Sequence, residues 1–382
     1  MVITRTPYRL SFFGGGTDFP AWYMKHGGSV LSTTIDKYCY LSCRYLPPFF
    51  EHKYRLVYSK IESANKIEDI NHPAAREILR WAALDHGLEI HHDGDLPARS
   101  GMGTSSSFTV GLMLALSALK GNIMSKRDLA LESIRIEQDV LKESVGSQDQ
   151  VNAAYGGINH ITFHSNGQIS VHPVTLASDY LEELNSHFIL FYTGLKRTSS
   201  TITSSYATEM ETRKRQLRIM KDLVDESLSI LTQRGDITGF GELMHEAWET
   251  KKSLSSTVSN SVVDQMYSEA RKAGAIGGKL TGAGGGGFLL LCVPPSKQAK
   301  VKAVLKDLIH VPFKFEFSGS QVVFFDHDRK YHTEDRRRAS QNVQAFRELD
   351  DALSQANWTP TESNRIIVPG SSAKSEIGKG KK

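Results

Sequence analysis

The sequence has 382 residues, 40% hydrophobic and 23% charged, with a formal net charge of +4, the profile of a globular protein with chain enough for two domains. The charge is local: residues 329–382 hold 11 Lys/Arg against 7 Asp/Glu, whereas the first 328 residues hold 35 of each. A balanced body with a basic end is not the footprint of a nucleic-acid binder, and the longest apolar run, Phe288 to Val293, is far too short to cross a bilayer. Met1 leads straight into an alternating segment without a signal-peptide core. Cys39, Cys43 and Cys292 form no disulfide framework, so a reducing cytoplasm is the expected setting. Cys39 and Cys43 read as neighbours on one strand face rather than as a metal pair.

In chain order, residues 2–13 read as a strand ending in the turn Gly14-Gly15-Gly16. Clusters of β-branched and aromatic residues predict strands over 28–35, 37–46 and 53–58. A helix over 73–85 and a strand near 87–93 follow. The segment Pro97-Ala98-Arg99-Ser100-Gly101-Met102-Gly103-Thr104-Ser105-Ser106-Ser107 then runs into Phe108, Leu112, Leu116 and Leu119 at helical spacing. A glycine loop opening into a helix offers orphan N–H groups and the positive dipole end to an anion such as phosphate. Further on, a helix is predicted over 126–142 and strands over 157–163, 169–174 and 187–193. Long helices are predicted over 204–233, 236–253 and 260–273. The body closes with a strand over 287–293, a helix over 297–308 and strands over 311–317 and 321–326. Antiparallel strands with grouped helices imply α+β layers rather than a doubly wound sheet, with a boundary near 175–186. Past Asp328, Ala339, Val343, Phe346, Leu349 and Leu353 form a helical stripe expected to pack on the body, a partner-binding arm being the alternative. Residues 359–382 have a disordered composition.

A second glycine-rich segment, Lys279-Leu280-Thr281-Gly282-Ala283-Gly284-Gly285-Gly286-Gly287, lies about 180 residues after the first. Residues 282–287 satisfy G-x-G-x-x-G but precede their strand and open no helix, which excludes a dinucleotide-binding turn. Gly278-Lys279 is followed by Leu280, so the P-loop pattern fails too. No HExxH motif occurs and the 14 histidines show no metal-ligand spacing. Two such loops suggest a chain folded around one polyphosphate.

Three motifs, Thr6-Pro7-Tyr8-Arg9-Leu10 through Gly14-Gly15-Gly16-Thr17-Asp18, the Pro97–Ser107 loop and Lys279–Gly287, resemble in order and spacing those of the GHMP kinases (galactokinase, homoserine kinase, mevalonate kinase and phosphomevalonate kinase). The resemblance covers roughly residues 1–326. Within that group, Phe13-Gly14-Gly15-Gly16-Thr17-Asp18, Gly146-Ser147-Gln148-Asp149-Gln150, Gly156-Gly157-Ile158-Asn159 and Tyr192-Thr193-Gly194 are most similar to the heptose 7-phosphate kinases. The resemblance implies a two-domain α+β fold, with a ribosomal-protein-S5-like ATP-binding domain over 1–178, a ferredoxin-like domain over 179–328 and an extension over 329–382. It implies transfer of a phosphoryl group from ATP to the anomeric hydroxyl of D-glycero-D-manno-heptose 7-phosphate. An unphosphorylated sugar such as fucose, galactose or a uronic acid is the alternative acceptor, and a non-catalytic sugar-phosphate-binding protein the remoter one. The expected partners are small molecules, ATP and a sugar phosphate, without nucleic acid or membrane, and a homodimer is left open.

The resemblance also assigns roles. Gly101, Met102, Gly103, Thr104, Ser105, Ser106 and Ser107 hold the ATP phosphates, and Ser105 with Glu137 holds Mg²⁺, a hard ion suited to a hydroxyl and a carboxylate. Asp149 is the general base and Arg9 its partner, aligning the γ-phosphoryl group. Asp18 is expected at the sugar hydroxyls, with a purely turn-forming role as the alternative. Thr17, Tyr192, Gly194, Gly284 and Gly285 are further substrate-side candidates. Lys196 and Arg197, leading into Thr198-Ser199-Ser200, form the expected cradle for a distal phosphate, a plain solvated basic pair being the alternative. Arg99 is expected to face nucleotide, and Lys279 and Thr281 to brace the third motif.

Overall fold

A computed structural model describes residues 1–47, 49–84, 86–98, 100–195, 210–255 and 257–326. The first half builds one sheet. Strand β1 (Val2–Phe13) is followed by helix α1 (Pro20–His26) and the 18-residue strand β2 (Gly28–Tyr45). Strands β3 (Tyr54–Val57) and β4 (Ile61–Ala64), helix α2 (Pro73–Ala82) and strand β5 (Leu88–Gly94) follow. Two strands expected over 28–35 and 37–46 are thus one. The apparent break at Asp36-Lys37 is an irregularity in register: Pro7 faces Tyr38 while Tyr8 faces Ile35. Such bulges add twist to a strand without ending it. Cys39 and Cys43 are both buried on β2, as their four-residue spacing on one face requires.

Helix α3 (Thr104–Leu119) packs on β1 and β2 and is buried along most of its length. That fits its composition, apolar on nearly every side. Helix α4 (Lys126–Arg135) begins at a Ser125 cap and runs into a π-helical turn over Ile136–Val140. Helix α5 (Gln148–Tyr155), the hairpin of β6 (Asn159–Phe163) and β7 (Ile169–Pro173), and helix α6 (Ser178–Ser186) complete this half.

A second sheet follows. It begins with β8 (Phe188–Tyr192), then helices α7 (Lys214–Thr232), α8 (Ile237–Lys252) and α9 (Ser261–Ala273). Strands β9 (Gly277–Leu280) and β10 (Phe288–Cys292), helix α10 (Pro295–Val304) and strand β11 (Ile309–Val311) close it. Its spatial order, β11-β8-β10-β9, is the fourth, first, third and second strand in sequence. Helices lie between the first and second strands and between the third and fourth, the ferredoxin-like arrangement.

The segment expected as one strand over 311–317 instead crosses between sheets. β12 (Phe315–Glu316) pairs with β2 and β13 (Gln321–Phe325) pairs with β1. The first sheet therefore has nine strands, β13 at one edge, and a cut at 178/179 leaves out its last two. Phe12 and Phe13, at the end of β1, pack their rings against Phe188 of β8 and Phe240 of α8 at centroid distances of 5.0–5.5 Å. This aromatic cluster joins the two sheets immediately before the Gly14–Asp18 turn and fixes where that turn points.

Candidate active site

The site is assembled around Arg9, a buried residue whose side chain leaves the middle of β1. Its Nε and Nη2 donate to Oδ1 and Oδ2 of Asp149 at 2.7 and 2.8 Å, and Nη1 donates to Gly101 O at 2.7 Å. The guanidinium fork thus joins the first motif, the glycine loop and α5 in one contact, a bidentate geometry lysine cannot reproduce. Arg9 N also donates to Met102 O at 3.1 Å.

Gly101 and Gly103 lie at φ +82° and +71°. A Cβ on Gly103 would stand 3.1 Å from Arg9 Cγ and 3.4 Å from Asp149 Oδ2, so this glycine is required both by conformation and by proximity. As N-cap of α3, Gly103 provides no side-chain acceptor. The first turn therefore presents the backbone donors of Ser105 and Ser106 to the same small volume that Asp149 borders, while Ser107 N is spent on Gly103 O at 2.9 Å. Ser107 Oγ donates to Pro7 O at 3.0 Å, pinning α3 to β1.

Glu137 lies on the π-helical turn and is 1% exposed. Burial pushes its carboxyl up to about 7, against the hydrogen bonds of its hydroxyl and amide neighbours. The sequence reading pairs Glu137 with Ser105. In the structure Ser106 Oγ donates to Glu137 Oε2 at 2.9 Å, alongside Gln150 Nε2, while Ser105 is exposed on the same helical turn. One residue along a helix turns a side chain by about 100°, which decides which hydroxyl faces the carboxylate. Oε1 of Glu137 is buried without a hydrogen bond, and Thr109, one turn beyond Ser106, faces the carboxylate. A buried carboxylate with an unused oxygen beside a hydroxyl is a hard-oxygen donor set that fits Mg²⁺ completed by phosphate and water. Among the described residues no group of three or more His, Cys, Asp or Glu gathers for a metal, so such an ion would draw most of its ligands from the nucleotide.

Asp18 is buried behind Asp149. Gly16 N donates to its Oδ1 at 2.9 Å, Gln148 N to its Oδ2 at 3.3 Å, and Ser147 N to its carbonyl at 2.9 Å. Burial first, then the charge of Asp149, raises its carboxyl above the ordinary range. A Cβ on Gly146 would fall 1.9 Å from Asp18 Oδ2, so the Gly146-Ser147 turn exists to let this carboxylate in. Asp18 thus fastens the first motif to the start of α5. Thr17, expected at the substrate, is fully buried, and its hydroxyl is used internally. It donates to Gly14 O and Ser29 O at 2.8 and 2.9 Å and accepts from Ser29 N.

The rear motif closes on the front loop. Thr281 Oγ1 donates to Ser100 O at 3.5 Å, and a Cβ on Gly287 would meet Ser100 O at 2.1 Å. Thr193 donates twice to Gly287 O, at 2.8 and 2.9 Å. Gly284 and Gly285, also expected at substrate, instead pack on Val258: Gly285 N donates to Val258 O at 2.9 Å, and a Gly284 Cβ would come within 2.4 Å of that oxygen. They shape the loop. Tyr192 packs its ring on Phe288 at 5.1 Å, and Gly194 lies exposed at φ +70° just after β8. Arg99, Lys196 and Arg197 lie outside the described residues. So does the stripe over 339–353.

The sequence reading named no residue for a nucleobase. Beside the first turns of α3, His72 stacks on Phe108 at 4.7 Å, and His92 and Tyr58 make edge contacts at 5.2 and 5.1 Å. These four come from four separate segments and carry no local motif, so only the folded chain brings them together.

A buried arginine–carboxylate pair facing a glycine loop and an uncapped helix N-terminus, on an α+β frame of two sheets, is an arrangement suited to phosphoryl transfer from ATP to an alcohol. The chain matches the models of the GHMP kinases N terminal domain over residues 67–157 and the GHMP kinases C terminal domain over residues 224–310, and it belongs to that family. It is 28% identical over 331 residues to the D-glycero-alpha-D-manno-heptose 7-phosphate kinase of Campylobacter jejuni, covering 83% of this chain and 97% of that one. It is 24% identical to the L-fucokinase/L-fucose-1-P guanylyltransferase of Bacteroides fragilis, over 79% of this chain and 36% of that longer protein. Among solved structures, a D-glycero-D-manno-heptose 1-phosphate kinase of Bacteroides thetaiotaomicron superposes with a TM-score of 0.71 at 24% identity, over 85% of this chain and all of that one.

Proposed function

We propose that this chain is a sugar 1-kinase whose acceptor is D-glycero-D-manno-heptose 7-phosphate, forming the 1,7-bisphosphate for nucleotide-activated heptose and surface-glycan synthesis in the cytoplasm. The observation that carries the kinase chemistry is the Arg9–Asp149 pair at 2.7 and 2.8 Å against the Gly101–Gly103 turn. The Gly101–Gly103 turn and the backbone donors of Ser105 and Ser106 hold the α- and β-phosphates, with the adenine against His72 and Phe108. Ser106 and Glu137 would hold a Mg²⁺ ion, which would neutralise charge spreading over the phosphates. Asp149, 25% exposed in its side chain against 6% for Arg9, keeps one edge toward the cleft. It takes the proton of the acceptor hydroxyl as that oxygen bonds to the γ-phosphorus. The bond from the γ-phosphorus to the bridging oxygen breaks, and ADP leaves with its electron pair. Arg9 fixes the orientation of the carboxylate throughout.

The substrate assignment rests on the Campylobacter relative, which spans nearly its whole length with this chain, and on the basic pair Lys196-Arg197 for the distal phosphate. The similarity to a fucokinase favours an unphosphorylated sugar as the second reading. ATP consumption by the purified protein across free and phosphorylated hexoses and heptoses separates the two. Turnover is expected with heptose 7-phosphate, and Lys196→Ala/Arg197→Ala is expected to raise KM for that substrate at least tenfold while leaving KM for ATP in place. Preference for a free sugar, or an unmoved KM in the double variant, would overturn the heptose phosphate reading.

A further inference from the structure

The Gly14-Gly15-Gly16 turn holds one glycine that its own backbone does not require. Gly14 and Gly16 lie at φ +79° and +103°, and a Cβ on Gly14 would fall 1.9 Å from Ser29 O, so conformation calls for glycine at both. Gly15 has no left-handed φ. Among the described residues a Cβ on it would meet only Ser11 Oγ at 3.6 Å and Gln148 Nε2 at 3.8 Å, both ordinary van der Waals distances. An alanine would fit. A glycine at such a place loosens the unfolded chain for no local gain, unless the space it leaves open is used.

The two side chains beside that space have polar atoms to offer. Ser11 is 9% exposed and Gln148 7%, and among the described residues Ser11 Oγ and Gln148 Oε1 are both buried without a hydrogen bond. Each such atom costs about 1–3 kcal/mol unless something pairs with it. Both stand next to the reaction machinery. Ser11 lies two residues beyond Arg9 and so on the same face of β1. Ser32, paired with Ser11 across the strands, donates to Asn152 Oδ1 of α5 at 2.8 Å, so this face of the sheet meets α5. Gln148 opens α5 immediately before Asp149, and its backbone is tied to Asp18 Oδ2 through N at 3.3 Å and to Asn152 Nδ2 through O at 2.8 Å.

We propose that Gly15, Ser11 and Gln148 form a specificity pocket for the acceptor: the space left by Gly15 admits a second hydroxyl of a polyol, which pairs with Ser11 Oγ and Gln148 Oε1 while Asp149 takes the proton of the reacting one. The inference rests on the kinase reading of the same site and adds to it which side chains read the acceptor. A hydroxyl suits the place because it both donates and accepts: Gln148 Oε1 only accepts, whereas Ser11 Oγ does either. An acceptor without a hydroxyl there leaves both oxygens unpaired, the discrimination that a hydrogen-bonding pocket makes most strongly.

The test compares the wild type with Gly15→Leu, Ser11→Ala and Gln148→Met in KM for heptose 7-phosphate, KM for ATP and urea midpoint. Gly15→Leu fills the space and is expected to raise the acceptor KM by about tenfold or more, with KM for ATP within about twofold. Ser11→Ala is expected to raise the acceptor KM by about fivefold while its urea midpoint stays level or rises, because it deletes an unpaired buried hydroxyl. Gln148→Met keeps the length of the side chain and is expected to follow Ser11→Ala. A merely structural role would move stability and both KM values together, and that result, or an acceptor KM unmoved in the folded variants, overturns the pocket. If Gly15→Leu does not fold, the other two variants decide alone. If the wild type takes a free sugar instead, the heptose phosphate reading fails and the same ratios, measured on that sugar, decide the pocket. If it phosphorylates no acceptor, the kinase reading fails, and calorimetric binding of heptose 7-phosphate to the wild type and Ser11→Ala decides: weaker binding by the variant supports the pocket, and equal or absent binding overturns it.

Discussion

At the scale of single residues, the site depends on which group faces which. Asp149 is held on both oxygens by Arg9, so its orientation is set before any acceptor arrives. Asp149→Asn keeps the shape but loses the capacity to accept a proton. Turnover is expected to fall about 10²–10⁴-fold, the usual worth of a positioned general base, while ATP affinity by equilibrium titration stays within a few-fold. Near-normal turnover would remove Asp149 from the mechanism. The hydroxyls of α3 give a finer contrast. Ser106→Ala breaks the 2.9 Å contact to Glu137 and is expected to raise the Mg²⁺ concentration needed for half-maximal rate at least fivefold. Ser105→Ala leaves that contact intact and should move it less; the reverse order would return the metal to Ser105.

At the scale of elements, three glycine segments distant in sequence converge because each lacks the Cβ that would meet a neighbour: Ser29 O beside Gly14, the Arg9 side chain beside Gly103 and Ser100 O beside Gly287. Gly287, at φ +96°, leaves no room for a Cβ beside Ser100 O. Gly287→Ala is expected to cost about 1–3 kcal/mol in urea denaturation and most of the activity; a variant as stable and active as the wild type would show that the loops do not depend on this approach. The motifs themselves were legible in the sequence, since Gly101, Gly103, Gly146 and Gly287 sit where a local run must turn or admit a neighbour. Helix α3 was legible from its apolar spacing, and the family resemblance singled out Arg9, Asp149 and Glu137, of which the first two meet in the structure. What was not legible depended on partners far away. Thr17 reads as a ligand in its motif until Ser29 is seen to consume its hydroxyl. Ser105 and Ser106 are equivalent until the helix has a defined face. The four-residue strand β9 was hidden because Gly277 and Gly278 carry no β-branched signal. Their lack of side chains is instead what lets α8 approach, since a Gly277 Cβ would meet Gly241 O at 1.9 Å. The crossing of β12 and β13 back to the first sheet has no local signal at all, because pairing partners 280 or more residues away decide it.

At the scale of the whole molecule, the two sheets share one aromatic junction, and both carry groups that answer to pH. Five histidines spread over both are held below their ordinary range chiefly by burial: His72, His92 and His160 on the first sheet and its helices, His245 and His310 on the second unit. The sign follows from proton counting. With folded-state values below 6.5, the native protein binds fewer of these protons than the unfolded chain as the pH falls through 6.5. Stability from this source is therefore complete above pH 6.5 and is lost progressively below it. His160 is hydrogen-bonded to Ser29 Oγ at 2.9 Å and faces His172, with Asp225 opposing part of its shift. His310 lies near Lys302, whose charge adds to burial. Glutamine at these two positions keeps a polar, uncharged side chain that has no proton to take up. The His160→Gln/His310→Gln variant is accordingly expected to lose less stability than the wild type between pH 7 and pH 5.5, measured by urea midpoints in the same buffers. Parallel curves for the two proteins would mean that neither ring is kept neutral by its place in the fold.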